Sequence, residues 1–406
     1  MATNGGTAIL RLENGIQPYA WGSTTAMAEF LRRSNPGGGP QAELWIGSHS
    51  LLPSKVTIAG EPRPLDEILR KAAGAFLPAA VLGRFGPQLP FLLKVLAVAA
   101  PLSIQCHPTL DQAREGFARE NARGIPLDAP HRSYRDANHK PELIMALTSY
   151  TALIGFRSPA AARQLLAALD ASDLRPLLAH LEQPGDAGLR PFFAGLMGLP
   201  ESRRALIAAR AAEVAAEAPG KDPAWAWVAR LCALYPRDIG VLSPLYLNLV
   251  VLRPGEALYL PAGQLHAYLD GLGVEIMANS DNVLRGGLTP KHVDVPELLK
   301  LLAFRSEEPA VLRPEPAPDG ALIYATPADE FLLAVIDVIP EAPRSVADDH
   351  GVEVLLGLEG TVSADGVRLG RGEAALVPAP LGAYRIEGRG RLARARVPSR
   401  DGARRR

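Results

Sequence analysis

Cysteine is almost missing, with only Cys106 and Cys232 in 406 residues. Two thiols cannot build the disulfide framework of a small secreted domain, and the shortage points to a reducing cytoplasm. Net charge is missing too: 43 Lys and Arg balance 43 Asp and Glu. Without a basic excess there is no electrostatic footprint for a phosphate backbone, so no nucleic-acid partner is expected. Long apolar runs are also lacking. The most apolar stretch, residues 89–104, contains Lys94 and two prolines. It falls short of the roughly 20 residues that cross a bilayer, so no membrane partner is expected either. The opening Met-Ala-Thr-Asn-Gly-Gly has no charged-then-apolar signal pattern. What remains is an ordinary globular balance, 48% hydrophobic and 21% charged, with 38 Gly and 37 Pro to make many turns. At roughly 100–200 residues per domain, two or three domains are expected.

Short β-like runs between turn signals fill the first 154 residues, for example at 7–12, 54–58 and 143–154. The character then changes. Ser158-Pro159 reads as an N-cap followed by proline at the first helical position. Leu165, Leu166, Leu169, Leu174, Leu177, Leu178 and Leu181 recur at helical spacing, and Ala-rich helical segments are predicted over 201–217 and 223–234. β-like runs return at 246–252, 257–260 and 274–277. A Pro-rich stretch at 313–318 reads as a linker, and further β-like runs follow at 331–338, 352–356 and 374–377.

One internal similarity organises these pieces. Arg253-Pro-Gly-Glu-Ala-Leu-Tyr-Leu-Pro-Ala262 resembles Gly370-Arg-Gly-Glu-Ala-Ala-Leu-Val-Pro-Ala379, 117 residues later. A turn feeding a strand that ends in Pro-Ala-Gly-x-x-His has the shape of the second half of a cupin, a double-sheet barrel with a metal at its mouth. On this alignment His266 falls on Ala383, so the second copy lacks that ligand. The expected fold is mainly β with an α insert. A cupin or jelly-roll barrel spans 1–157 and 239–312, a helical domain is inserted at 158–238, and a cupin-like β domain without metal ligands covers 319–397.

Three short segments carry candidate metal ligands. In Gln105-Cys106-His107-Pro108, strand alternation puts Gln105 and His107 on one face and Cys106 on the other, packed inward. In Asn138-His139-Lys140-Pro141-Glu142, Lys140 and Glu142 share a face. Pro261-Ala-Gly-Gln-Leu-His266 places a histidine just after a tight turn. Two nitrogens and two oxygens from Gln105, His107, Glu142 and His266 form a set suited to Zn²⁺ and water. A fourth segment, 274–291, puts Glu275 on a strand and then runs through a polar loop to Arg285, Gly286, Gly287 and Lys291. Its cations can neutralise a phosphate or an enediolate oxygen, and its glycines let backbone approach a ligand.

Six segments, in order, resemble the type I phosphomannose isomerases: Gln17-Pro-Tyr-Ala-Trp-Gly22, Glu43-Leu-Trp-Ile-Gly-Ser-His49, Gln105-Cys-His-Pro108, Asn138-His-Lys-Pro-Glu142, Pro261-Ala-Gly-Gln-Leu-His-Ala-Tyr268 and Ser280-Asp-Asn-Val-Leu-Arg-Gly-Gly-Leu-Thr-Pro-Lys291. The resemblance implies a zinc enzyme, one ion per chain, that interconverts mannose 6-phosphate and fructose 6-phosphate through a cis-enediolate. Such an enzyme supplies mannose for nucleotide-sugar synthesis or feeds it into glycolysis. The family's zinc ligands fall on Gln105, His107, Glu142 and His266, and its active-site arginine on Arg285. Lys140, Glu275, Asp281 and Lys291 match catalytic-pocket positions, with Glu275 or Lys291 as the candidate proton carrier and a His107–Asp281 pair assisting ring opening. Lys94, Ser103, Tyr268 and Trp21 are the expected substrate-binding residues. The partner is a phosphorylated sugar, and a monomer or homodimer is compatible. A non-catalytic sugar-phosphate-binding cupin, an isomerase of a related sugar and a metal-dependent cupin dioxygenase are the alternatives. The dioxygenase typically wants a more histidine-rich site.

Overall fold

The strand His266–Ala278 organises the larger sheet because it serves two sets of neighbours. Up to Asp270 it pairs with Ile104–Cys106 on one side and Tyr150–Phe156 on the other. From Gly271 it pairs with Phe91–Val98 and Glu142–Ala146. Gly271 sits at the changeover with φ of +123°, and a Cβ there would lie 2.7 Å from the Ser149 carbonyl oxygen. A side chain would be strained in that backbone and would have no room, so glycine is required at the bend. The bend lets one strand join both walls of a barrel within an 11-stranded antiparallel sheet.

This is a computed structural model that describes residues 7–217 and 222–398. The N-terminal Met-Ala-Thr-Asn-Gly-Gly lies outside them. The architecture is mainly β, a cupin-like barrel interrupted by helices, with a second, nine-stranded sheet toward the C-terminus.

Alternation sorts the barrel strands into two faces. Leu96, Val98, Ile144, Ala146, Leu258, Leu260 and Tyr268 point inward to a small apolar floor. Leu93, Val95, Leu143, Met145, Val274 and Ile276 point outward and share a core with Phe331 and with Leu333, Val354 and Leu356 of the second sheet. The two sheets are further tied by the strand Leu10–Leu12, which pairs with Ala374–Val377 of the C-terminal sheet. Tyr324 reinforces the joint by donating to the Gly255 carbonyl at 2.6 Å.

The 117-residue similarity is also a match of register. Leu260 pairs with Glu142 in the first sheet, and Val377 pairs with Glu353 in the second. Glu353 therefore stands where Glu142 stands. Its surroundings differ: Tyr384 donates to Glu353 Oε2 at 2.5 Å, and Arg394 Nε lies 3.9 Å from Oε1.

Between the barrel halves run the helices Pro159–Ala167, Arg175–His180, Leu189–Met197, Glu201–Glu217 and Pro223–Leu234. Ser158 caps the first through its side chain, accepting from Ala161 N at 3.3 Å. Their apolar faces pack on Cys106, Leu153 and Phe156, behind the barrel wall.

Two expectations need correction. The first 154 residues contain the helices Ala26–Leu31, Leu65–Ala72, Ala79–Phe85 and Leu110–Ala122 besides strands. Leu110–Ala122 buries only Ala113, Gly116 and Glu120, so it has no large apolar stripe for a periodicity to reveal. Its readable signal is the capping box of Thr109 and Gln112. The Pro-rich stretch at 313–318 is also more ordered than a linker. It holds the short strand Glu315–Pro316, paired with Leu322–Tyr324 at a sheet edge where proline is tolerated. Among the described residues no helix is long and apolar enough to cross a membrane.

Candidate metal centre

Three strands set the centre side by side. Arg285 on Leu284–Gly287 pairs with Gln105, and Gln105 pairs in turn with His266. Residues opposite one another in antiparallel strands turn their side chains to the same face, so the three form a row. His107 follows two residues after Gln105, and Glu142 begins the strand Glu142–Ala146.

The donor atoms of His107, Glu142 and His266 all lie within 4.8 Å of one another, and the three side chains are buried. His107 Nδ1 donates to the Asn282 carbonyl at 2.8 Å, and His266 Nδ1 donates to the Gln264 carbonyl at 3.1 Å. A carbonyl can only accept, so each ring keeps its proton on Nδ1 and turns a lone pair on Nε2 inward. Those lone pairs face Glu142, with Nε2 of His107 3.2 Å from Oε1 and Nε2 of His266 3.5 Å from Oε2. His107 Nε2 has no hydrogen-bond partner although it is buried. Lone pairs crowded against a carboxylate are tolerable only with a cation among them. Burial pushes the His107 pKa down to about 4, which keeps the imidazole neutral. Burial alone would raise Glu142, but the Lys140 ammonium holds it well below its usual value, as a carboxylate. A neutral imidazole and an ionised carboxylate are the forms that ligate zinc. Gln105 lines the same cavity of about 60 Å³, with Lys140, Glu142, His266 and Tyr268. The residues present therefore fit a zinc ion.

On the far wall of that cavity Lys94 pairs in register with Glu275. Its Nζ lies 3.2 Å from Glu275 Oε2 and 3.2 Å from Glu43 Oε2. Trp45 Nε1 donates to the same Glu43 oxygen at 2.7 Å. Burial by itself would lower the Lys94 pKa, but Glu43, Glu275 and Glu142 together hold it above its usual value. Burial raises Glu275, against the opposing pull of Lys94. A buried ammonium between carboxylates thus leaves one carboxyl with elevated proton affinity beside the metal cavity. Lys140 Nζ approaches Glu142 Oε1 at 3.1 Å. Tyr268 packs edge-on against Tyr150.

A wider cleft of about 1000 Å³ lies on the side of His49, Arg135, Asn138 and Asp281. Asp281 Oδ1 pairs with His49 Nε2 at 3.4 Å. That replaces the expected His107–Asp281 pair, because the Asn282 main chain stands in front of His107. The buried Asn282 side chain staples two loops together. Its Oδ1 accepts from Arg135 N at 2.7 Å and Asp136 N at 3.2 Å, and its Nδ2 donates to the Asp136 and Asn138 carbonyls, both at 2.8 Å. Arg285 is held below its usual pKa by burial and by Arg135, and Lys291 by burial, Arg285 and Arg135. These are three neighbouring cations, and none is in an ion pair with a carboxylate among the described residues.

Trp21 and Ser103 line neither cavity. Trp21 packs against the barrel's apolar floor, and its carbonyl accepts from Ala99 N and Ala100 N at 3.1 Å. Sequence reasoning gave no role to Glu43, His49, Arg135 or Asn282. Glu43 and His49 did stand in a quoted motif, and Asn282 in the polar run, but their partners are distant in the chain.

Known proteins resemble this one closely. Residues 9–159 match the family model described as phosphomannose isomerase type I, catalytic domain. The mannose-6-phosphate isomerase of Escherichia coli (strain K12) is 40% identical over 393 residues, covering 95% of this chain and 98% of that protein. The mannose-6-phosphate isomerase of Homo sapiens is 33% identical over 396 residues, covering 88% of each. Among solved structures, mannose 6-phosphate isomerase from Salmonella typhimurium bound to its substrate fructose 6-phosphate and to zinc superposes with a TM-score of 0.89 at 39% identity. That match covers 96% of this chain and 100% of the other.

Proposed function

This chain belongs to the type I phosphomannose isomerases, and from that premise we propose that it interconverts mannose 6-phosphate and fructose 6-phosphate as a zinc-dependent aldose–ketose isomerase. Gln105, His107, Glu142 and His266 hold one zinc per chain. The observation that carries this is the convergence of two imidazole lone pairs on the Glu142 carboxylate, with both Nδ1 protons committed to carbonyls. Bound there, zinc supplies a Lewis acid that polarises a sugar oxygen.

The chain's own residues do the rest. Arg285 and Lys291, with Arg135 beside them, bind the phosphate and so fix the sugar relative to the cavity. Asp281, paired with His49 at the cleft, moves the proton that opens the ring. Glu275 carries the proton between C2 and C1, since burial raises its proton affinity. Lys94 steadies the ionised form of Glu275. Lys140 faces the oxygen on which negative charge develops in the enediolate. Lys291, exposed beside Arg285, fits a phosphate contact better than proton transfer. Tyr268 forms a wall of the pocket, and Trp21 and Ser103 support its flank from behind the lining.

A sugar-phosphate binder would need the cations but not the buried Lys94–Glu275 pair. A coupled assay that follows fructose 6-phosphate formed from mannose 6-phosphate, with unphosphorylated mannose as control, separates the two. Turnover of the phosphorylated sugar, abolished by a chelator and restored by zinc, is expected. A zinc-loaded protein that binds mannose 6-phosphate without turning it over would leave only the binder.

We also propose the division into a split catalytic barrel at 1–157 and 239–312, a helical insert at 158–238 and a C-terminal barrel at 319–397. Both cysteines are free and buried, which suits a cytoplasmic setting. All the proposed residues come from one chain, so the reading holds for a monomer or a homodimer.

A further inference from the structure

Two adjacent acids in the bend that precedes the strand Leu332–Val338, Asp329 and Glu330, reach the part of the chain that carries the metal centre. Asp329 Oδ2 meets Arg84 Nη2 at 2.9 Å. Glu330 Oε1 meets His139 Nε2 at 2.7 Å, across 191 residues of sequence. Phe331, fully buried in the core shared by the two sheets, anchors the next position. Glu330 is only 5% exposed, and its Oε2 has no hydrogen-bond partner. Placing a carboxylate in such a site is costly, and among the described residues His139 is its one hydrogen-bond partner.

His139 lies between Asn138 and Lys140. The segment 138–142 is held on one side by the 278–282 loop. Ser280 Oγ and Asn282 Nδ2 donate to the Asn138 carbonyl, and Ala278 N donates to the Pro141 carbonyl at 3.0 Å. Lys140 and Glu142 then face the metal cavity, while the His139 side chain turns to Glu330, just before the strand Leu332–Val338. The imidazole is thus the handle by which the 329–331 bend grips the segment bearing Lys140.

We propose that Glu330 is a positioning residue for the isomerisation: by holding His139 it sets the place of Lys140 Nζ beside Glu142. The C-terminal barrel therefore contributes to turnover and not only to stability. The inference rests on the isomerase reading above. A misplacement of about 1 Å in a catalytic group can cost ~100-fold, so loss of one of several restraints is expected to lower kcat by about tenfold.

The test compares wild type, E330A, E330Q and E330D for kcat, KM and zinc content in the mannose 6-phosphate assay. E330A should lose about tenfold in kcat with KM within about twofold and zinc still stoichiometric. E330Q keeps an acceptor for the imidazole N–H and should recover most of kcat. E330D withdraws that acceptor by one methylene while keeping the charge, and should resemble E330A. It serves in its place if E330A does not fold. In an H139N background the E330A or E330D step should have no further effect on kcat, because the two residues act through one contact. Wild-type kcat in E330A and E330D, loss of kcat only in step with loss of zinc, or full additivity with H139N would each overturn the proposal. Absence of turnover in the wild type would instead sink the isomerase reading itself.

Discussion

Replacing Asn282 with alanine removes a staple whose value can be worked out from its contacts. The side chain serves four main-chain groups: the N–H of Arg135 and of Asp136, and the carbonyls of Asp136 and Asn138. At about 1 kcal/mol net per hydrogen bond the upper figure is about 4 kcal/mol. Arg135 is exposed and Asp136 and Asn138 are half-buried, so water re-pairs part of what is lost. About 2–3 kcal/mol of destabilisation is then expected, read as the shift in the urea unfolding midpoint at constant slope. Asn282→Asp discriminates further. Aspartate can still accept from the two N–H groups, but it cannot donate, and it sets a carboxylate beside the two carbonyls and the Asp136 side chain. N282D should therefore be no more stable than N282A. His107 Nδ1 is held by the Asn282 main-chain carbonyl, so folded N282A should keep its zinc while the loop carrying Arg135 and Lys140 loosens and kcat/KM falls. A loss below about 0.5 kcal/mol, or N282D as stable as wild type, would refute the staple.

Arg135→Ala removes the third cation from the proposed phosphate subsite. It should raise KM for mannose 6-phosphate about tenfold, equivalent to about 1.4 kcal/mol, with kcat within about twofold, and it should weaken competitive inhibition by inorganic phosphate. An unchanged KM would remove Arg135 from the site. In the C-terminal barrel, burial raises the Glu353 pKa against the opposing pull of Arg394. A folded-state pKa above the unfolded value adds stability that is fully present below the unfolded pKa, about 4.3, and is lost as pH rises through the folded one. E353Q mimics the protonated form, so its advantage in melting temperature over wild type should be least near about pH 4 and grow toward neutrality. A gap that shrinks with rising pH would contradict this. His266→Ala should lose zinc and activity together, and stoichiometric zinc in that variant would reject the ligand assignment.

Parts of this protein were legible in the chain because the signal is local. Proline after an N-cap marks the start of Pro159–Ala167, Ala-rich segments mark Glu201–Glu217 and Pro223–Leu234, and a ten-residue similarity reveals the second barrel. Gln105 and His107 announce a shared face through two-residue alternation, and His266 through its turn. The fold gathers these side chains, with Glu142, around one cavity. Other features are set by long-range geometry and leave no local trace. The helix Leu110–Ala122 buries small residues and a glutamate, so its period is silent. Asp281 finds His49 and Lys94 finds Glu43 only once distant segments meet. The matching register of Glu142 and Glu353 is likewise invisible until strands are paired. In the second barrel Tyr384 and Arg394 lie beside the glutamate at the register position that the first barrel surrounds with imidazoles.

The central claim is that Gln105, His107, Glu142 and His266 hold one catalytic zinc. It is tested most directly by titrating chelator-stripped protein with zinc while following both bound metal and fructose 6-phosphate formation. Activity should rise linearly with bound zinc and reach its plateau at one equivalent per chain. Full activity before any zinc is added, or a plateau in binding with no gain in turnover, would contradict it.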